Sequence, residues 1–147
     1  MKSVAAIIAG DEPVSDMVGL LETRPVENWS REWLLLDDLL HFYGRIYGGG
    51  LNHGISVAAD GAIPEMLRLI RAYDSHEVIE WADQLEKYFG GSVLNENREA
   101  REIWELEYID QAPVPEFEVL DNAALKIERA LGFVLKGYLV ENRRAFE

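Results

Sequence analysis

The sequence predicts an all-α protein, a compact bundle of about six helices in a single domain over residues 1–147. Three observations predict it. Apolar residues recur at helical spacing almost throughout the 147 residues. No run alternates apolar and polar side chains as a half-buried strand would. The chain's one Asp-Gly pair, Asp60-Gly61, leads into a helical pattern rather than the second arm of a hairpin. A hydrophobic content of 48% is enough for a real core. The absence of cysteine removes disulfides, thiolate catalysis and cysteine-rich zinc sites together. The opening MKSVAAIIAG is too short in its apolar part for a secretory signal, and no run approaches a membrane span, so the expectation is a cytoplasmic protein with no membrane partner.

The elements follow in order. A first helix over about 13–22 opens at Pro13 and stops before Pro25. A second, over about 27–47, places Trp29, Trp33, Leu35, Leu36, Leu39, Leu40, Phe42, Tyr43, Ile46 and Tyr47 around more than half its circumference, which marks a central helix. The glycine stretch Gly48-Gly49-Gly50 ends it. A third spans about 62–73, with Pro64 in its first turn and Met66, Leu67, Ile70 and Tyr73 inward. Asp74-Ser75-His76-Glu77 has the spacing of a capping box and starts a fourth, which stops at Gly90-Gly91. A fifth covers about 97–109. The last runs from about 116 to 143 with a bend near Gly132. Its apolar stripe is Leu120, Ala124, Ile127, Leu131, Val134 and Tyr138. Phe133 and Val140 form a second apolar face that suggests deep burial or a homodimer contact.

Three constellations invite a chemical reading. The segment HFYGRIYGGGLNHG (41–54) resembles a phosphate cradle. It lacks the lysine and hydroxyl of a P-loop, and His53 stands where a dinucleotide fingerprint needs its third glycine. Its glycines read better as a helix stop and a sharp turn. Asp37, Asp38, His41 and Arg45 share one arc of the long helix. An Asp–His pair at that spacing can orient an imidazole, but no recognisable nucleophile motif accompanies it, and a solvated polar strip explains it equally well. His76-Glu77-Val78-Ile79-Glu80 is a zincin pattern without its second histidine, and nothing obvious supplies a third metal ligand. The expectation is no enzyme, no metal and no cofactor.

Charge is the least ordinary feature. The net charge is −13, and it is concentrated: residues 74–121 carry fourteen acids against three bases. Such a chain repels nucleic acid rather than binding it directly. Glu77, Glu80, Asp83 and Glu86 recur every third residue, as do Glu96, Glu99, Glu102 and Glu105. Helical residues three apart stand roughly 5–6 Å from one another. That is close to the roughly 6–7 Å between successive phosphates on a DNA strand, which rise about 3.4 Å per step and wind as they go. A row of carboxylates at this interval can imitate phosphates. An acidic protein must also put its acids somewhere, and helix faces are where they go.

The order of motifs resembles the DNA-mimic-protein family of small acidic helical domains. The pieces are Ile46-Tyr47-Gly48-Gly49-Gly50-Leu51, then Met66 to Ala72, then Leu85 to Gly91, then Phe117-Glu118-Val119-Leu120-Asp121, over about residues 34–125. Where the family has Asn-Gly-Gly-Phe, an aromatic run and an asparagine, this chain has Gly48-Gly49-Gly50-Leu51, Ile55 and Val57. The resemblance implies an all-helical domain, often dimeric, whose acidic surface competes with DNA for a basic DNA-binding protein such as a helix-turn-helix regulator. The expected partner surface is Glu77, Glu80, Asp83, Glu86, Glu96, Glu99, Glu102 and Glu105. An immunity-like inhibitor of a basic nuclease, or a structural protein kept soluble by its charge, would use the same composition.

Overall fold

The computed structural model describes residues 2–95, 97–104, 106 and 115–147. Among these the chain forms eleven α-helices and no strand. They are α1 (Val4–Ala9), α2 (Pro13–Leu21), α3 (Arg31–Gly49), α4 (Leu51–Val57), α5 (Ala62–Ala72), α6 (His76–Phe89), α7 (Gly91–Asn95), α8 (Arg98–Trp104), α9 (Pro115–Lys126), α10 (Glu128–Glu141) and α11 (Arg143–Phe146). The all-α class holds, and the expected six helices become eleven. The added helices include α1, α4, α7 and α11, of 6, 7, 5 and 4 residues, which hold only one or two turns and so do not repeat an apolar period often enough to show it.

Local chemistry sets the starts. Ser3 accepts a hydrogen bond from Ala6 N–H at 3.1 Å and caps α1, and Pro13 opens α2. Ser30 accepts from Trp33 N–H at 3.4 Å, so α3 begins at Arg31 rather than near 27. Val26–Asn28 form a separate 3-10 turn, and half-buried Trp29 follows in extended conformation.

Both glycine stretches are corners of one residue. Gly50 (φ 92°) joins α3 to α4, and Gly90 (φ 76°) joins α6 to α7, with a helix resuming at once in each case. The sharp turn expected at Gly48-Gly49-Gly50 is therefore made by Gly50 alone, and a helix resumes directly after each corner. Gly54 has a different task. A Cβ there would stand 3.1 Å from Ile46 Cγ1 and 3.3 Å from the Ile46 backbone nitrogen, so glycine is what lets α4 lie against α3. The first N–H of α4, on Leu51, donates to Asp121 Oδ1 of α9 at 3.0 Å.

The buried apolar side chains form one contiguous cluster. Helix α3 runs through it, with Trp33, Leu36, Leu39 and Phe42 almost inaccessible, and touches α2, α4, α5, α10 and α11. The expected stripe Leu120, Ala124, Ile127, Leu131, Val134 and Tyr138 is buried throughout. Helix α10 runs uninterrupted through Gly132, however, so the stripe's helix is not divided there. The break falls at Ile127 (φ −102°, ψ 9°), between α9 and α10. Tyr47 Oη donates to Ala124 O at 2.7 Å and Tyr43 Oη to Glu128 O at 3.2 Å, so two phenols from α3 satisfy carbonyls on both sides of the break. Gly132 instead admits Val14 of α2, whose Cγ2 lies 3.0 Å from where a Cβ would be. Phe133 is half-buried and flanked by the Arg129 guanidinium at 5.4 Å and the Lys136 ammonium at 4.6 Å, while Val140 is exposed. Lys136 Nζ also donates to Ile8 O at 2.8 Å and Gly10 O at 3.0 Å, closing the end of α1. No helix among the described residues is long and apolar enough to cross a membrane.

Candidate functional site: the acidic helices

Helix α6 has two distinct sides. Val78, Trp81, Ala82, Leu85 and Phe89 are buried, and Trp81 Nε1 donates to Leu120 O at 3.1 Å, which fixes α6 on α9. Glu77, Glu80 and Asp83 are exposed on the other side, and Glu86 is half-exposed. The expected capping box does not form. The helix starts one residue later than that pattern requires, with Ser75 in the cap position and no side-chain capping bond. Glu77 stays in the first turn of α6 without a capping bond, and among the described residues no cation lies within ion-pair distance of it.

Helix α8 is seated by polar groups at its base. Asp60 Oδ1 accepts from Arg98 N–H at 2.7 Å, and Asn97 Oδ1 accepts from Ala100 N–H at 3.0 Å, so two acceptors serve its first turn. Its inward anchor is Arg101, 1% exposed. Arg101 Nε donates to Ile55 O at 2.9 Å and Nη2 to Ala58 O, at the C-terminal end of α4, where the helix dipole favours a cation. Asp60 Oδ1 lies 3.8 Å from the same nitrogen. Burial lowers the Arg101 pKa from the ordinary arginine value, and Asp60 opposes that shift. An inward arginine explains why α8 shows no clean apolar stripe: Ile103 is half-exposed at 50% because the core position belongs to Arg101.

The carboxylates do not stand as a uniform free row. Arg71 of α5 bridges Asp83 at 2.8 Å and Glu86 at 2.9 Å, and hydrogen bonding to Glu86 and Asp83 raises its own pKa. Glu80 Oε2 lies 3.7 Å from His76 Nε2. On α8, Glu102 pairs with Arg98 at 3.0 Å, and Glu99 is exposed with no cation within ion-pair distance among the described residues. Glu96 and Glu105, expected in the same surface, lie outside the described residues. The described members of the two series sit on separately seated helices: α6 rests on α5 and α9, α8, with Glu99 and Glu102, rests on α4, and α7 joins them. Neither Arg71 nor Arg101 stands out in the sequence. Arg71 is remote from its partners along the chain, and the only sign of Arg101 is the missing apolar stripe.

The polar strip of α3 resolves into structural pairs. His41 Nδ1–H donates to Asp37 O at 2.9 Å and faces Asp37 Oδ1 at 3.2 Å. Arg45 Nη1 donates to Val57 O at 3.0 Å, closing another carbonyl of α4. Burial raises the Asp38 pKa and the Asp37 charge adds to this, with His41 and Arg45 opposing. Among the described residues no group of three or more His, Asp or Glu is placed to hold a metal ion. The start of α4, the one place where the glycine stretch could have offered N–H groups to an anion, is taken by Asp121.

Comparison with protein-family models, curated proteins and solved structures finds no match to this chain. What the surface can do follows from its charges. A helix that buries its apolar residues on one side and lines the other with acids at a regular interval attracts basic surfaces over long range, and salt weakens that attraction.

Proposed function

We propose that this chain is an acidic protein-binding domain that acts as a DNA mimic, its α6 face together with the acids of α8 occupying the DNA-binding surface of a basic partner such as a helix-turn-helix regulator. The observation that carries the reading is the run Glu77, Glu80 and Asp83, three residues apart and exposed opposite a buried apolar face. The concentration of fourteen acids against three bases in residues 74–121 supports it. The ion pairs refine it. Glu77 and Glu80 form the end of the row that no arginine holds among the described residues, so a partner's Lys or Arg meets them first. Asp83 and Glu86 are already turned toward Arg71, so a partner's arginine must displace that contact to use them.

The test is capture. Immobilised wild-type chain should retain a DNA-binding protein from a cell lysate at low salt and release it at high salt. Added duplex DNA should compete for the retained protein. The double variant Glu77→Lys/Glu80→Lys should retain much less. Retention that duplex DNA leaves untouched, or capture of no DNA-binding protein at all, would sink the mimic reading. A basic nuclease as the retained species would turn it into inhibition of that enzyme.

A further inference from the structure

An open groove of about 450 Å³ lies between α2, the turn that follows it and α3. Its wall is apolar: Val18, Leu21, Val26, Trp29 and Leu40. Val18 and Val26 are 42% and 61% exposed, and here they stand side by side on one wall with Trp29. Trp29 is half-buried, and its Nε1–H is already spent on Arg24 O at 2.9 Å, so only the apolar body of the indole faces an incoming group. The rim carries Glu22 and Asp37. Arg24 and His41 line it too: the Arg24 guanidinium is turned over the Trp33 ring at 4.3 Å, and His41 Nδ1 lies 3.2 Å from Asp37 Oδ1, so an incoming cation shares Asp37 with His41 and meets Glu22 unshared. Just outside, Glu27 is exposed and Asp38 follows Asp37 on α3.

We propose that this groove docks a basic amphipathic helix of a partner protein, which inserts apolar side chains against Trp29, Val18 and Val26 and sets lysine or arginine side chains on Glu22 and Asp37. Two features select this occupant over others. An open apolar wall suits the apolar face of a helix, which offers anchors at intervals of three and four residues. Carboxylates at the rim, on a chain of net charge −13, favour cations beside those anchors and reject an acidic helix. A second copy of this chain would bring its own negative charge against that rim. The site is separate from the α6 carboxylates and stands or falls without them.

The experiment titrates the full chain, isotopically labelled, with a short synthetic amphipathic helix built of leucine and lysine, and follows backbone and indole N–H resonances. The expected result is shifts centred on residues 18–29 and 37–41, with the Trp29 indole among the largest. Val26→Lys, at an exposed position that leaves the core intact, should weaken binding by at least about tenfold. Val26→Ser should weaken it less. Replacing the peptide's lysines by glutamates should abolish binding. Shifts confined to 77–86, equal binding of the acidic peptide, or indifference to Val26→Lys would each overturn the proposal. So would groove shifts that appear on concentrating the chain alone, with sedimentation as a dimer, because the occupant would then be a second copy.

Discussion

The backbone N–H of Leu51 donates to the carboxylate of Asp121 at 3.0 Å, across 70 residues of chain. The glycine stretch that resembles a phosphate cradle thus delivers its helix start to an anion that the protein itself supplies. Gly50 makes the corner, α4 begins, and Asp121 of α9 takes the first free N–H.

Asp121→Ala should lower stability by about 1 kcal/mol, the usual worth of a carboxylate or amide acceptor at a helix start. Asp121→Asn keeps an acceptor oxygen and should lose much less. Urea denaturation followed by circular dichroism separates the two. Equal losses would mean that the contact does not stabilise α4.

The glycines should divide by geometry rather than by helix membership. Gly54→Ala forces a methyl against the Ile46 backbone and should destabilise by about 1–3 kcal/mol. Gly50→Ala places a side chain at φ 92° and should lose a similar amount. Gly48 is helical and has no neighbouring atom within 4 Å of where a methyl would stand, so Gly48→Ala should raise stability by up to about 1 kcal/mol. Thermal or urea midpoints of the three variants check the signs.

Arg101→Leu keeps bulk but strands the carbonyls of Ile55 and Ala58 in the interior, and should destabilise by about 3 kcal/mol. Arg101→Lys should not rescue it, because a single ammonium cannot reproduce the guanidinium fork. Hydrogen exchange should show α4 and α8 loosening together. Loosening of α8 alone would contradict the coupling.

Tyr47→Phe should cost about 1 kcal/mol by removing the donor to Ala124 O. The tyrosines also set an alkaline limit. Burial pushes the Tyr138 phenol from 10.0 up to about 12, so between those values the unfolded chain releases a proton that the folded chain keeps. Tyr43 and Tyr47 are raised in the same direction by burial. The stabilisation is therefore complete below pH 10 and is lost as pH rises through the folded values. Denaturation midpoints measured across that range should fall steeply, and less steeply in Tyr47→Phe.

Arg71→Gln should change stability by no more than about 1 kcal/mol, because its pairs with Asp83 and Glu86 are substantially exposed. It should strengthen capture of a basic partner by freeing two carboxylates. Unchanged or weaker capture would mean that these two acids take no part in the interface.

The buried faces of the long helices are legible in the sequence because each repeats its apolar period several times: Val78, Ala82, Leu85 and Phe89 on α6, and Leu120 to Tyr138 on α9 and α10. The short helices are not, since four to seven residues make only one or two turns and the period scarcely repeats. Glycine is the local signal for a bend, so the sequence points to Gly132. The break falls at Ile127 instead, where two tyrosine hydroxyls more than seventy residues upstream take carbonyls on either side. The acid rows are visible as spacing. Their neutralisation by Arg71 is not, because an ion pair between α5 and α6 depends on how those helices lie side by side. Arg101 misleads in the same way: a charged residue in an acidic segment reads as surface, and the carbonyls it meets at the end of α4 belong to another part of the chain.

Lys136 closes the last carbonyls of α1 from 126 and 128 residues downstream. A ribosome adding roughly 5–20 residues per second needs about 6–25 seconds to cover that distance. Throughout that interval the nascent α1 has no Lys136 to meet Ile8 and Gly10, nor any α10 to lie against. Helix α1 is thus made early and secured late, and the growing chain carries Val4 and Ile7 without that cover until α10 arrives.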